Sequence, residues 1–389
     1  MFEKFRISDE ELCPCDSGKQ YHNCCKKKNI KKFRNNNELM NFIGKLFKKS
    51  KRRVCLYNGC EEKGKNIIGA HAIQENRILN KLAVNGFVKM QNFDKEPVLL
   101  EIKPKKPEPF YFLSDVSINK ATKATCFCKT HDDTLFAKIE KSQYDLQTLD
   151  DEQKFLFAYK TFSFELYTEM TAKKFYQLIL SNIPQLFKKP LLIYQYRKQC
   201  EKLIDLKSYQ EFFNNSIDKK DFSGLETITL ELPFQIQFSN YMAVSPPFDI
   251  TGKKLRAMDK KTSRLKFVFF TSFPVENKSY ILISALKEDM KYFHEYFEQI
   301  KQSPLSLIKY YLNVFIPLYS QNLIISPRLW DSWDETSQKA IQYAVADPHS
   351  SNLLFGVKSY LREIEKTQVG ANISTSQIVF EFFKNFEQL

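Results

Sequence analysis

Four residues able to bind a soft cation stand in two tight pairs. Cys55 and Cys60 lie in CLYNGC, and Cys128 and His131 lie in CFCKTHDD. Thiolates and an imidazole in close pairs, separated by a long insert, are the donor set of a tetrahedral structural zinc ion, because one turn can aim both members of a pair at the same ion. Cys126 is an alternative donor in the second pair, but the C-x-x-H spacing favours Cys128. A second group comes earlier, in CPCDSGKQYHNCC. There Cys13 and Cys15 share a Pro-containing turn and face Cys24 and Cys25 across a loop bent at Ser17-Gly18. So short a segment needs its metal to fold. His22, inside it, reads as a loop residue rather than a ligand.

The elements that must position these groups are read from composition and periodicity. The chain has 389 residues, 43% of them hydrophobic, which is enough for two or more domains with sizeable cores. Its nine cysteines come in close groups with Cys200 alone, which is metal spacing in a reducing compartment and not a disulfide framework. The N-terminus lacks an apolar signal region, and no run is long and apolar enough to span a membrane, so a cytoplasmic location and no membrane span are expected. The net charge of +14 favours polyanionic partners, nucleic acid first. Much of it lies in residues 26–53, where Glu38 is the one acid and NELMNFIGKLF has the apolar spacing of a short amphipathic helix.

Further along, KNIIGAHAI reads as a strand with His71 near its end. A helix over ENRILNKL and a strand after the Asn85-Gly86 turn follow. KPKKPEPF, residues 103–110, reads as an exposed loop, and DDTLFAKIE as a helix whose Glu140 is a solvated carboxylate. The remainder predicts a long helix capped at Asp150 or Asp151, a break between Pro184 and Pro190, and a second helix. ETITLELPFQIQF then reads as one half-buried antiparallel strand, and more strands and helices follow. His294 and His349 have no metal-spaced neighbours, Cys200 reads as a buried apolar residue, and no nucleotide-binding fingerprint occurs.

Residues 13–25 resemble the SEC-C motif, a zinc knuckle, at every ligand position, with Asp16 where Gly is usual. The resemblance implies an adaptor that docks on protein or ribosome surfaces. The stretch from Cys55 to Glu140 resembles the treble-clef zinc fold and, within it, the zinc-bearing HNH endonucleases. That resemblance implies structural zinc on Cys55, Cys60, Cys128 and His131. It also implies His71 as general base, Asn119 as its helper, and Asp132 as ligand of a catalytic Mg2+ or Mn2+. A metal ion would stabilise charge on the phosphate while a neutral imidazole takes a proton. Ala70 stands where the family usually has a second metal ligand, which leaves a non-catalytic adaptor open as the alternative.

The sequence therefore predicts an α+β multidomain chain with two zinc sites. Its parts are a SEC-C knuckle (1–28), a basic linker (29–53), an HNH-like treble clef (54–145) and a larger α+β domain with an antiparallel sheet (146–389). The expected function is metal-dependent cleavage of nucleic acid, in phage defence or as a toxin-like effector, or else zinc-stabilised binding of nucleic acid, ribosome or protein.

Overall fold

A computed structural model describes residues 5–61, 65–92, 98–103, 106–141, 149–255, 258–259, 262, 264–320, 322–346 and 381–384. In chain order the elements are α1 (Asn36–Ser50), β1 (Ile67–His71), α2 (Asn80–Leu82), β2 (Phe87–Gln91), β3 (Val98–Lys103), β4 (Lys106–Phe110), β5 (Leu113–Ser117), β6 (Lys123–Cys128), α3 (Lys129–Leu135), α4 (Ala137–Glu140), α5 (Asp151–Asn182) and α6 (Pro190–Lys219). They continue with β7 (Leu225–Leu232), β8 (Phe238–Val244), β9 (Met258–Asp259), β10 (Arg264–Leu265), β11 (Val268–Val275), β12 (Lys278–Leu286), α7 (Met290–Gln302), α8 (Leu305–Tyr319), β13 (Ile324–Ile325), α9 (Pro327–Asp331) and α10 (Glu335–Ala346). The chain is thus mixed α+β, and every described strand pairing is antiparallel.

Local chemistry accounts for many boundaries. Asp150 accepts from the Gln153 N–H while the Gln153 side chain accepts from the Asp150 N–H, so α5 opens on a capping box. Pro184 and Pro190 bracket the break before α6. Asn85 and Gly86 both have positive φ, 50° and 77°, as a two-residue hairpin turn requires, and Val84 and Phe87 exchange both backbone hydrogen bonds across it.

A seven-stranded sheet runs in the order β5-β2-β13-β8-β11-β12-β7. Its two faces are both covered. Tyr241, Phe269, Phe273 and Leu282 point to α5, α6 and the paired strands β1 and β6. Met242, Phe270, Ile281 and Ile283 point to α7, α8 and α9. Burial on both faces is why β11 and β12 read as nearly unbroken apolar runs. Every residue of α5 from Phe155 to Tyr167 is buried, so this helix has no solvent face there.

Several expectations change. The run ETITLELPFQIQF forms two strands: β7 ends at Leu232, because Pro233 has no N–H for the ladder, and β8 begins at Phe238. The stretch expected as a loop at 103–110 contributes β4, paired with β3 in a two-stranded sheet, where an edge strand tolerates Pro107 and Pro109. The short helix expected within the linker 29–53 forms as α1; what the sequence did not show is that it lies on α5, with Phe47 edge-on to Phe175 at 5.3 Å. The division at 145/146 does not separate sheets, because β2 and β5 share one sheet with β7, β8 and β11–β13 through Ile325 opposite Lys89. Cys200 is half-buried, His294 is exposed on α7 as expected, and His349 lies outside the described residues.

Candidate metal centres and the residues around them

The N-terminal cluster is built on a small hairpin. Leu12 and Gln20 pair, Asp16 and Gly18 take positive φ (69° and 72°) in the turn between them, and Cys13 and Cys15 both lie on the arm that enters that turn. Cys24 and Cys25 follow on two short 3-10 turns. The four Sγ atoms lie within 4.8 Å of one another, with Cys15 to Cys24 at 3.4 Å and Cys24 to Cys25 at 3.9 Å. A tetrahedron with Zn–S bonds of about 2.3 Å has S···S edges of roughly 3.8 Å, so the cradle matches the ion. Burial raises the Cys25 and Cys13 thiols. Burial also raises Cys15, but donors from Ser17, Cys24 and Cys13 outweigh it and bring the thiol down to about 7. His22 is no part of the cluster; its Nδ1–H donates to the Asp9 carbonyl at 2.7 Å.

This knuckle is docked on its own chain. Cys13 and Cys25 are buried with Leu180, Phe187 and Ile193 from the α5–α6 turn, and Tyr21 packs on Phe187 at 4.7 Å. Arg197 of α6 donates to both carboxylate oxygens of Glu11, at 2.8 and 2.7 Å.

The second cluster sits where the β1–β6 strand pair meets α3. Gly59, with φ 72°, closes the Tyr57–Cys60 turn and brings Cys60 back toward Cys55. The segment around Val54 and Leu56 runs beside β6, their N–H groups donating to Thr125 and Cys126. β1 pairs with β6 across Ile67–Cys128 and Ile68–Phe127. β6 then delivers Cys128 as N-cap of α3 and His131 in its first turn. Cys55 and Cys60 each lie 3.9 Å from Cys128 by Sγ, and His131 Nδ1 lies 3.4 Å from Cys55 and 3.0 Å from Cys128. Tyr57 stacks on the His131 ring at 4.0 Å, which orients Nδ1 toward the thiols. Burial pushes the Cys55 thiol up to about 12, a cost that a divalent cation would reverse. The spacing and the soft donor set fit zinc. Cys126 is fully buried and lies outside the cluster.

His71 ends β1, half-buried, in register with Lys123. Its Nδ1 is 2.9 Å from the Ala121 carbonyl and 3.5 Å from Thr122 Oγ1. A carbonyl only accepts, so Nδ1 carries a proton, and Nε2 on the other side of the ring is buried. Asn119 is exposed in the turn between β5 and β6, two residues before the carbonyl that holds His71. Asp132 sits on α3 with Oδ1 buried and without a hydrogen-bond partner among the described residues. Burial pushes its carboxyl up to about 6, against the pull of Lys160 and with the push of Glu140 and Asp133. Among the described residues, groups of three or more Cys, His, Asp or Glu ligand atoms close enough for one ion are the two cysteine-rich clusters, and neither includes His71 or Asp132.

Two features escaped sequence reasoning. Glu140, expected to be solvated, is ion-paired with Lys160, which is buried and whose ammonium lies 4.8 Å from the centroid of the Phe136 ring. Inside the helical layer, Lys202 of α6 pairs with Glu165 at 2.7 Å and also with Glu169, both carboxylates being buried. The signal in the sequence was two acids at i, i+4 spacing among the apolar positions Phe162, Phe164, Leu166 and Tyr167 of α5.

No family model matches the chain, and neither the curated proteins nor the solved structures compared with it give a match. Among the described residues, no helix is long and apolar enough to cross a membrane.

Proposed function

We propose that the chain is a zinc-braced nucleic-acid-binding protein, with both zinc ions in structural roles and the second held in a treble-clef arrangement. The observation that carries this reading is a row of exposed cations leading into the second cluster. Lys45, Lys48 and Lys49 are exposed on α1 at i, i+3, i+4 spacing, while Met40, Leu46 and Phe47 of the same helix turn inward. Lys51, Arg52 and Arg53 continue the row toward Cys55, and Lys120 and Lys123 are exposed next to β1. Residues 26–53 hold twelve Lys and Arg against one acid, Glu38. Glu38 is occupied in capping α1, accepting from the Arg34 N–H at 2.7 Å. Clustered, solvated ammonium groups suit phosphate binding, which is sequence-independent and salt-dependent.

The knuckle at residues 13–25 resembles SEC-C in its ligands, but its apolar side rests on the α5–α6 turn of the same chain. We read it as a brace for that turn before a dock for another protein or the ribosome.

The test is oligonucleotide binding by fluorescence anisotropy over a range of salt concentrations. Reversal of Lys45, Lys48 and Lys49 to Glu should cost at least tenfold in affinity. It should also flatten the plot of log affinity against log salt by about 2 to 3, at roughly 0.7–0.9 for each phosphate no longer neutralised. Zinc-loaded wild type that binds no nucleic acid at low salt would overturn the reading.

A second reading, HNH-like hydrolysis, draws on the Nδ1–H of His71 held by the Ala121 carbonyl, which sets the ring's orientation, and on the buried carboxylate oxygen of Asp132. Cleavage of plasmid DNA and structured RNA with Mg2+ or Mn2+, lost in His71→Ala with zinc retained, would establish it.

A further inference from the structure

We propose that a hollow at the start of α1 receives an unpaired nucleobase, so that the nucleic acid bound by this chain is single-stranded. The inference rests on the reading of the basic row as a nucleic-acid surface, and it adds what that row alone does not specify. The hollow holds about 460 Å³, within the range of about 300–1,000 Å³ typical of small-ligand sites. Its walls include Lys31, Phe33, Asn37, Asn41, Phe42 and Lys45, and also the acid Glu38, whose carboxylate accepts from the Arg34 N–H.

Three kinds of group that a nucleotide needs meet here. The Phe33 and Phe42 rings, 5.6 Å apart and inclined at 49°, provide π-faces. Stacking on such rings requires a base with a face to offer, which a duplex interior withholds. Asn37 and Asn41 are exposed one helical turn apart and present amide donors and acceptors to a base edge. The Lys31 ammonium lies over one face of the Phe42 ring, 4.0 Å from its centroid, so a base stacking on that face would displace the flexible lysine side chain and leave its charge for the phosphate.

The placement of these groups is fixed. Lys31 is clipped to the α5–α6 turn, its N–H donating to Gln185 Oε1 at 3.2 Å and its carbonyl accepting from Gln185 Nε2 at 2.7 Å. The opposite wall is anchored by the α1 cap, in which Asn35 Oδ1 accepts from the Glu38 N–H at 2.9 Å. The hollow is also continuous with the cationic row. Asn37, Asn41 and Lys45 follow at i, i+4, i+8 along α1, and Lys48 and Lys49 take up the same face. A strand whose base enters the hollow would therefore run its phosphates along that stripe. A free mononucleotide would leave the stripe unused, which is why a strand is the assigned occupant.

The test compares three fluorescein-labelled oligonucleotides of equal length on the zinc-loaded full chain at one salt concentration. These are a single strand, the same backbone with abasic sites, and a blunt duplex. The expected result is single-strand binding at least fivefold tighter than abasic. Phe42→Leu and Phe33→Leu should each lower the ratio of base-bearing to abasic single-strand affinity toward one. Equal binding of the abasic and base-bearing strands by wild type would overturn the hollow's role and leave the basic surface standing. Absence of binding to all three would overturn both. The abasic comparison uses the wild-type chain, so it decides the matter even if an aromatic variant fails to fold.

Discussion

Replacing Glu169 by Gln should make this protein more resistant to unfolding above neutral pH and change little in acid. In the native chain Glu165 and Glu169, one turn apart on α5, share a single ammonium, that of Lys202, and both are buried. Two carboxylates on one cation leave a buried negative charge. Burial chiefly, with repulsion from Glu165, pushes the Glu169 carboxyl from its ordinary 4.5 up to about 7 despite the attraction of Lys202. In the unfolded chain the same group keeps its ordinary value. A raised folded value means the native state holds its proton more tightly. Its contribution is therefore whole below pH 4.5 and is lost as pH rises through about 7. At about 1.4 kcal/mol per pH unit the full loss is about 3 kcal/mol, of which roughly 2.5 falls between pH 5 and 8. The neutral amide of Glu169→Gln removes that dependence and leaves Glu165 and Lys202 as a balanced pair. Urea unfolding of both proteins at pH 5 and pH 8 measures it, since the zinc sites are common to the two and cancel in the difference. A gap between variant and wild type that widens by about 2.5 kcal/mol toward pH 8 is expected. Curves that shift in parallel would show that the buried carboxylates do not hold a proton, and the reasoning would fail.

Other outcomes follow from the same structure. Elemental analysis of the purified chain should give two zinc ions, falling to one in Cys25→Ala, with the Cys55, Cys60, Cys128 and His131 site still loaded; a content of two in the variant would exclude the first cluster. Phe213, fully buried, has the rings of Phe155, Tyr159, Phe162, Phe212 and Phe269 within 5.5 Å, so Phe213→Ala should cost about 3–5 kcal/mol in denaturant unfolding. Asp150→Ala removes the side-chain half of the α5 capping box and should cost about 1 kcal/mol by the same measurement, with zinc content unchanged.

What the sequence determined by itself was local. Cys13, Cys15, Cys24 and Cys25, and the set Cys55, Cys60, Cys128 and His131, were legible because metal donors on short turns are bound by spacing, and the folded chain brings both sets within ligand distance of one another. The α5 cap, the Pro184–Pro190 break and the Asn85-Gly86 turn were legible for the same reason, since each depends on a few neighbouring backbone groups. What lay beyond it was long-range. Nothing near Ile325 announces that it will pair with Lys89 on one side and Phe238 on the other, joining strands from two regions expected to be separate. Nothing near Glu140 announces Lys160, nor near Glu165 and Glu169 the ammonium of Lys202. The docking of the knuckle on Phe187 and the meeting of Phe33 with Phe42 and Lys31 were likewise settled by packing. The physical reason is that spacing fixes which groups a single turn can gather. Which charges and rings lose their water depends on the surfaces that the whole chain brings together.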